Sequence, residues 1–209
     1  MRPVTIPADL PAAFRACTAE AQMGFGTAAL FAEELLTGAR HIEVQVVAAP
    51  AADGTVRALA LGDRDCSVQR RRQKLVEIAP APDLDDAIRR GIHRAAVVLC
   101  AAHDFRGLAT VEFLVTAARF VFLEVNPRIQ VEHTVTEEVT DVDLVATALH
   151  IAAGATYEEL DLPAGILATA DGVNGTAARA RGGAHGPGPP AQAEPWPAVR
   201  FRLPALAEA

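Results

Sequence analysis

Two glutamates, Glu112 and Glu124, stand in segments whose pattern is typical of the two strands of a hairpin, Thr110–Val115 and Phe120–Asn126. With a loop of three residues they lie directly opposite each other, and facing like charges destabilise a strand pair. A divalent cation between them removes that penalty, because Mg²⁺ takes carboxylate oxygens and bridges them to nucleotide phosphates. The alternation fits equally well a pair of glutamates on a solvated sheet face.

Asn126 follows Glu124 by two residues and adds a third oxygen on the same side of the strand. Because side chains alternate along a strand, one face should carry four residues. These are Phe120, Phe122, Glu124 and Asn126. A cation site in this hairpin would therefore be built from Glu112, Glu124 and Asn126.

The second strand runs into a short polar loop that contains a guanidinium, an amide and a carboxylate, those of Arg128, Gln130 and Glu132. The planar guanidinium suits an oxyanion such as bicarbonate. A carboxylate beside it can accept a proton and make bicarbonate nucleophilic. His133, alone next to this loop, favours a structural role.

A basic cluster lies in the segment from Arg64 to Lys74. Its four closest positive side chains are Arg70, Arg71, Arg72 and Lys74. They would bind phosphate well, and a solvated basic strand or loop fits the composition equally. A nucleic-acid site is disfavoured, because the chain has a net charge of −7 and no aromatics interleave with the basic residues.

The helices and strands that must position these residues are predicted from hydrophobic periodicity and from turn and capping residues. Asp53-Gly54 is a hairpin-turn signal, Asp83 is a candidate helix N-cap, and Gly154 is a candidate helix end. In chain order the predicted elements are a helix within 8–36, strands over His41–Ala48 and Val56–Leu61, a helix over Asp83–Ala102, the two hairpin strands, and a helix over Asp141–Ala153. One face of the first strand should be dry, and Glu137, Glu138 and Asp141 should form a solvated helix start.

Length and composition limit the number of domains and the class of protein. With 209 residues, half of them hydrophobic, the chain has room for one domain and a fragment of another. It contains no apolar run long enough for a membrane span and no secretory signal. Three scattered cysteines favour a reducing compartment, and we expect a cytoplasmic protein. From about Arg181 the Gly- and Pro-rich composition predicts a largely disordered tail.

Together these motifs resemble the biotin carboxylase family of the ATP-grasp superfamily. The resemblance runs in family order from about Met1 to Leu160 through HIEVQVV, GDRDCSVQRRRQKLVEIAPAP, ATVEFLV, FVFLEVNPRIQVEHTVTEEVTDVDLV and LHIAAGA. The QVEH element separates this family from other ATP-grasp ligases. The implied fold is α+β: over 1–160 the C-terminal portion of an ATP-grasp fold, an antiparallel sheet with flanking helices, and over 161–209 a remnant of the family's C-terminal domain.

The resemblance also implies roles for individual positions. Three residues match ligands of Mg²⁺ or Mn²⁺, namely Glu112, Glu124 and Asn126. Five match the bicarbonate site: Lys74, Arg128, Gln130, Val131 and Glu132. Among these, Arg128 would hold bicarbonate, Glu132 would deprotonate it, and Lys74 would contact bicarbonate or carboxyphosphate. Six match nucleotide-contacting positions: Glu33, Glu34 and Leu36 at the adenine hinge, and His41, Gln69 and Arg72. Glu34 stands where many members have Lys, and Arg72 where many have His or Asn.

In that family MgATP phosphorylates bicarbonate, carboxyphosphate breaks down to CO₂, and biotin on a carrier protein captures the CO₂. The implied partners are ATP, bicarbonate, a biotin carboxyl carrier protein and a carboxyltransferase, with no nucleic acid or membrane, and the family is often homodimeric. The acyl acceptor is chosen by the carboxyltransferase, which the resemblance does not cover.

Parts of the family pattern find no match. We find no match for the glycine-rich lid loop with its lysines. The segment GTAARAR (175–181) resembles the opening of the family's C-terminal domain, but no residue matches the enolate-stabilising arginine of that domain. Because those groups hold the phosphates and the biotin enolate, we expect the chain alone to be inactive. The alternatives are a non-catalytic fragment that binds metal or nucleotide, and a remnant of a truncated or frame-shifted gene.

Overall fold

The computed structural model describes residues 2–71, 73–169, 172–176 and 199–202. The chain divides into two compact units, Met1–Ala39 and Arg40–Ala209. In the part of the chain so described, no helix has the length and hydrophobicity of a membrane span. The predicted disorder of the tail falls mainly on residues outside the described ranges, as does Arg72.

The first unit contains a 3-10 turn, Pro7–Asp9, and helix α1, Leu10–Phe25. α1 ends at Gly26, which has a left-handed φ of 70° and donates its N–H to the Gln22 carbonyl. Glycine adopts this conformation without steric cost, so it ends the helix where alanine would continue it. The predicted helix over 8–36 is therefore too long, because 27–39 contains no helix or strand.

The second unit is built on an antiparallel sheet. Its five main strands are β1 (Arg40–Pro50), β2 (Val56–Arg70), β3 (Gln73–Ala79), β4 (Gly107–Val115) and β5 (Phe120–Asn126). They lie in the order β5-β4-β1-β2-β3. Three short strands complete it: β6 (Ile166–Thr169) pairs with β2 and with β7 (Gly172–Thr176), and β8 (Val199–Arg202) pairs with β3. With its flanking helices, this sheet confirms the predicted α+β class.

The β1–β2 hairpin turns at Asp53-Gly54, as predicted. The Asp53 carboxylate accepts from the Thr55 N–H at 2.9 Å, and Gly54 has a φ of 83°. The returning strand is much longer than Val56–Leu61, because β1 pairs with it as far as Asp65 and β3 pairs with it from there to Arg70. The basic segment therefore begins within a strand.

Both faces of β1 are dry, whereas the alternation predicted one. Ile42, Val44 and Val46 pack with the buried residues of helix α2 (Asp86–Ala102). On the other face Glu43 and Gln45 are fully buried as well. Because buried charges must be paired, this polar face requires partners from elsewhere in the chain.

The helices begin later than predicted. α2 is capped by Asp85, whose carboxylate accepts from the Ala87 and Ile88 N–H groups at 2.8 and 3.1 Å; Asp83 has a positive φ of 48° instead. The helix predicted over Asp141–Ala153 begins three residues later in the structure, where α4 spans Leu144–Ala152.

A separate helix, α3 (His133–Thr140), occupies the segment predicted as loop and helix start. Asp141 ends α3 in a left-handed conformation with a φ of 56°. The Asp143 and Glu137 carboxylates then accept from the N–H groups of Ala146 and Leu144, each at 2.7 Å. Glu137 and Asp141 thus connect two helices rather than begin one.

Candidate functional site

The β4–β5 hairpin pairs Glu112 with Glu124. The loop is Thr116–Arg119, one residue longer than the pairing required, since Val115 pairs with Phe120. A bulge at Leu123 compensates, because it leaves one extra residue on β5 and shifts the register back by one. The predicted pairing is confirmed, although two features produce it together.

The bulge also decides which residues share a face of β5. Phe120 and Phe122 pair with Val115 and Phe113, so they lie on the opposite face from Glu124. Their rings contact Phe113 edge-on, with centroid distances of 5.7 and 6.4 Å. The prediction that Phe120, Phe122, Glu124 and Asn126 share one face is wrong, because strict alternation does not continue across a bulge.

Asn126 links the two glutamates. Its Nδ2 donates to Oε1 of Glu112 at 2.9 Å and to Oε1 of Glu124 at 3.2 Å. Since a carboxamide can turn to offer its oxygen in place of its nitrogen, the three side chains can direct oxygens at one point. All-oxygen ligands suit Mg²⁺ or Mn²⁺, so the donor set fits the expected cation.

Glu112 is the centre of this group. Its second oxygen accepts from Nε2 of His41 at 2.5 Å, and its first lies 3.4 Å from both Nζ of Lys74 and Nε2 of Gln130. Burial alone would raise the pKa of Glu112. The hydrogen bond from His41 and the charge of Lys74 outweigh burial and lower the pKa to about 2, so Glu112 is an anion at neutral pH.

Lys74 lies among three carboxylates. Its ammonium donates to Glu132 at 2.6 Å, forms an ion pair with Glu43, and contacts Glu112. Burial lowers the pKa of Lys74, but Glu43 and then Glu132 raise it above its usual range. The lysine is therefore a fixed cation between the expected base, Glu132, and the expected cation ligand, Glu112.

A fully buried arginine supports the lysine. Arg64 donates to Glu43 at 2.5 Å and to Gln45 at 3.0 Å across the sheet, and to Thr136 of α3 at 2.7 Å. These bonds tie α3 to β1 and β2 and supply the partners that the polar face of β1 needs. The sequence predicted no function for Arg64, Glu43 or Gln45, because their partners come from different elements of the chain.

His41 and Gln69 lie beside the glutamate pair. Nε2 of Gln69 donates to Nδ1 of His41 at 2.7 Å and to the Cys66 carbonyl at 2.8 Å. With Nδ1 accepting, Nε2 carries the proton that His41 donates to Glu112. The two expected nucleotide-contacting residues are thus joined to the expected cation site by hydrogen bonds.

The loop residues have different environments. Glu132 is buried against Lys74, whereas Arg128 is exposed and donates to the Ile129 carbonyl at 3.1 Å. Val131 is 72% exposed, and the Oε1 atom of Gln130 is buried without a hydrogen-bond partner among the described residues. The structure brings Glu132 and Gln130 to the glutamate pair and leaves Arg128 facing solvent.

The remaining predicted residues lie elsewhere. Glu33, Glu34 and Leu36 belong to the first unit, in the segment after α1, with both glutamates exposed and Leu36 half-buried. Arg70 and Arg71 of the basic cluster are exposed. Of that cluster, Lys74 reaches the carboxylates described above.

This chain is similar in sequence to several known proteins. Residues 1–160 match the family model of the carbamoyl-phosphate synthase L chain, ATP binding domain. A pyruvate carboxylase from Aspergillus niger is 48% identical over 163 residues, 78% of this chain and 13% of that protein. A biotin carboxylase from Pseudomonas aeruginosa is 44% identical over 154 residues, 74% of this chain and 33% of that protein.

Solved structures give the same result. A single-chain, multi-domain long-chain acyl-CoA carboxylase is 55% identical with a TM-score of 0.69, covering 87% of this chain and 18% of that one. A biotin carboxylase complex from Campylobacter jejuni is 37% identical with a TM-score of 0.69, covering 80% and 37%. The chain spans about a third or less of the curated relatives just named. It belongs to the family of the carbamoyl-phosphate synthase L chain ATP-binding domain and is similar to biotin carboxylases, which confirms the resemblance of its motifs.

Proposed function

We propose that this chain supplies the cation- and bicarbonate-handling part of a biotin carboxylase, which carboxylates biotin at the expense of ATP. The observation that carries the proposal is the position of Lys74, whose ammonium contacts both Glu132 and Glu112. One fixed cation thereby lies next to a buried carboxylate that can take a proton and next to the paired glutamates.

In this proposal Glu132 accepts the proton of bicarbonate and Lys74 balances the negative charge that develops on it. Arg128 holds the anion through its planar guanidinium, whose exposed position leaves donors available to a ligand. Gln130 and Val131 line the same loop. These residues form a site that accepts a small planar oxyanion and removes its proton.

Mg²⁺ or Mn²⁺, held by Glu112, Glu124 and Asn126, would neutralise phosphate charge during phosphoryl transfer. His41 and Gln69, hydrogen-bonded to Glu112 and to each other, would orient the nucleotide phosphates. Arg72 would assist them, and Glu33, Glu34 and Leu36 would hold the adenine.

The proposed partners are a biotin carboxyl carrier protein, which presents biotin, and a carboxyltransferase, which uses carboxybiotin. We propose a cytoplasmic location, which the three free thiols support. A homodimer is the proposed assembly, by similarity to the family.

The second candidate is cation and nucleotide binding without turnover. It is favoured by the compactness of the glutamate site, since His41, Lys74, Asn126 and Gln130, which contact Glu112, all belong to the second unit. Such a site can retain a cation whether or not phosphoryl transfer takes place.

An assay of ATP cleavage with and without bicarbonate separates the two candidates. If the chain turns over by itself, carboxylase chemistry predicts phosphate release that requires bicarbonate and falls about a hundredfold or more in Glu132→Gln. The matched control is Glu138→Gln, an exposed carboxylate of α3 that should leave the rate unchanged. Calorimetric binding of MgATP without bicarbonate-dependent cleavage would support the binding fragment and the expected inactivity of the chain alone. No binding heat at millimolar MgATP would refute both candidates.

A further inference from the structure

A second group of potential ligands lies behind Lys74, across three neighbouring strands. Glu43 of β1, Cys66 of β2 and Glu77 of β3 are all fully buried. One carboxylate oxygen of each glutamate and the cysteine sulfur lie within 4.8 Å of one another. A thiol and two carboxylates therefore converge on one small volume in the sheet.

Glu77 is the unusual member of this group. Both of its carboxylate oxygens are buried and have no hydrogen-bond partner among the described residues. Glu43, by contrast, is paired with Arg64 and Lys74. Because burying a charged carboxylate without a partner is strongly unfavourable, Glu77 must be neutralised by a proton or by a cation.

We propose that Glu43, Cys66 and Glu77 form a binding site for Zn²⁺, separate from the oxygen site of Glu112, Glu124 and Asn126. The donor set selects the ion, because Zn²⁺ accepts cysteine sulfur together with carboxylate oxygen. Mg²⁺ and Ca²⁺ take oxygen ligands only. This site goes beyond the proposed carboxylase function and does not depend on it.

Binding is a ligand exchange without any change of oxidation state. The Cys66 thiol releases its proton to solvent as the S–Zn bond forms, and Glu77 gives up a proton if it carries one. The three anionic ligands outnumber the two neighbouring cations, Arg64 and Lys74. Glu112 and Glu132, which contact Lys74, add further negative charge, so the surroundings favour a dication.

The site has a consequence for Lys74. An ion bound to Glu43 competes with the ammonium for the same carboxylate, since Lys74 is paired with Glu43. Lys74 retains its bond to Glu132. Occupancy by Zn²⁺ therefore weakens one of the contacts that hold the lysine between the carboxylates.

Cd²⁺ provides a direct probe, because a cadmium–thiolate bond absorbs in the ultraviolet. Titration of the whole chain with Cd²⁺ should produce this charge-transfer band with saturation at one ion, and Cys66→Ser should abolish it. Glu77→Gln should weaken affinity at least about tenfold, since even an outer-shell partner of a metal contributes that much. The controls Cys17→Ser and Cys100→Ser should keep both band and affinity, as should Glu124→Gln, which tests the other site.

X-ray absorption at the zinc edge makes the proposal independent of how well the variants fold. The Zn²⁺-loaded wild-type chain should show one sulfur ligand together with oxygen ligands. A shell of nitrogen and oxygen only, the absence of the cadmium band, or a band that survives Cys66→Ser would overturn the assignment. None of these outcomes bears on MgATP binding or ATP cleavage, so the two proposals fail separately.

Discussion

Nζ of Lys74 donates to Oε1 of Glu132 at 2.6 Å, although 58 positions separate the two residues in the chain. The contact joins β3 to the residue that precedes α3, and the lysine also reaches Glu43 and Glu112. A lysine in such surroundings compensates several buried charges at once. Its removal should therefore be felt in stability as well as in ligand binding.

Lys74→Met leaves Glu43 and Glu132 without their common partner. We expect a loss of about 3 kcal/mol in the free energy of unfolding at pH 7, because an uncompensated buried charge remains. The loss should shrink at pH 5, because Lys74 helps to lower the pKa of Glu43, and without the lysine Glu43 takes up a proton more easily. Urea unfolding at both pH values measures it, with Lys74→Arg as the variant that keeps the charge. Equal losses at the two pH values would contradict this electrostatic explanation.

Glu124→Gln tests the paired glutamates. We expect Mn²⁺ affinity to fall at least about tenfold, because the cation loses one anionic ligand. Electron paramagnetic resonance of free Mn²⁺ gives the affinity directly. Glu138→Gln, which also removes one exposed negative charge, should leave the affinity unchanged. Equal Mn²⁺ binding by both variants and the wild type would argue for a solvated pair without a cation.

The buried acid Glu77 should make stability depend on pH. Burial and the nearby charge of Glu43 raise its pKa from 4.5 to about 8. In this pH range the folded protein binds a proton that the unfolded chain has lost, so stability falls as pH rises from about 4.5 to about 8. Glu77→Gln removes this dependence. Over that pH range the unfolding free energy of the variant should therefore rise relative to that of the wild type by on the order of 4 kcal/mol.

That difference is measured by denaturant unfolding between pH 5 and pH 9, in steps of roughly one pH unit. A chelator is present to exclude metal ions. Subtracting variant from wild type cancels the titration of other groups. The exposed Glu138→Gln variant should show a constant difference. A constant difference for Glu77→Gln as well would mean that Glu77 has an ordinary pKa.

Arg64→Leu should remove the link between α3 and the sheet. Because Arg64 is fully buried against Glu43, we expect a destabilisation of roughly 3–5 kcal/mol. Adding Glu43→Gln should recover part of that loss, since the second change neutralises the stranded carboxylate. A thermodynamic double-mutant cycle gives the coupling. Additive effects of the two substitutions would show that the pair contributes little beyond packing.

Local sequence determined much of the strand framework of the second unit. The Asp53-Gly54 turn predicted the first hairpin, and spacing predicted that Glu112 faces Glu124 with Asn126 beside them. The motifs also identified the family, since EVNPRIQVEH after RDCSVQRRRQK is highly specific. These features depend on neighbours within a few residues or on one hairpin, so they are encoded over short distances.

The sequence predicted the helix boundaries less well than the strands. The break between α3 and α4 depends on a left-handed Asp141 and on the caps from Glu137 and Asp143, which periodicity does not reveal. The bulge at Leu123 and the loop Thr116–Arg119 each depart from the expected register, and their effects cancel at Glu124. Local pattern gave the right pair there and the wrong face for Phe120 and Phe122.

Tertiary structure alone decided which charges are buried. Alternating polar residues such as Glu43 and Gln45 fit a solvated strand face, and the packing of α3 against β2 and β3 helps to turn that face into an interior. Burial then makes each charge need a partner, and those partners, Arg64 and Lys74, come from other strands. Periodicity cannot foresee such pairings, because the electrostatic cost that enforces them appears only when distant elements exclude water together.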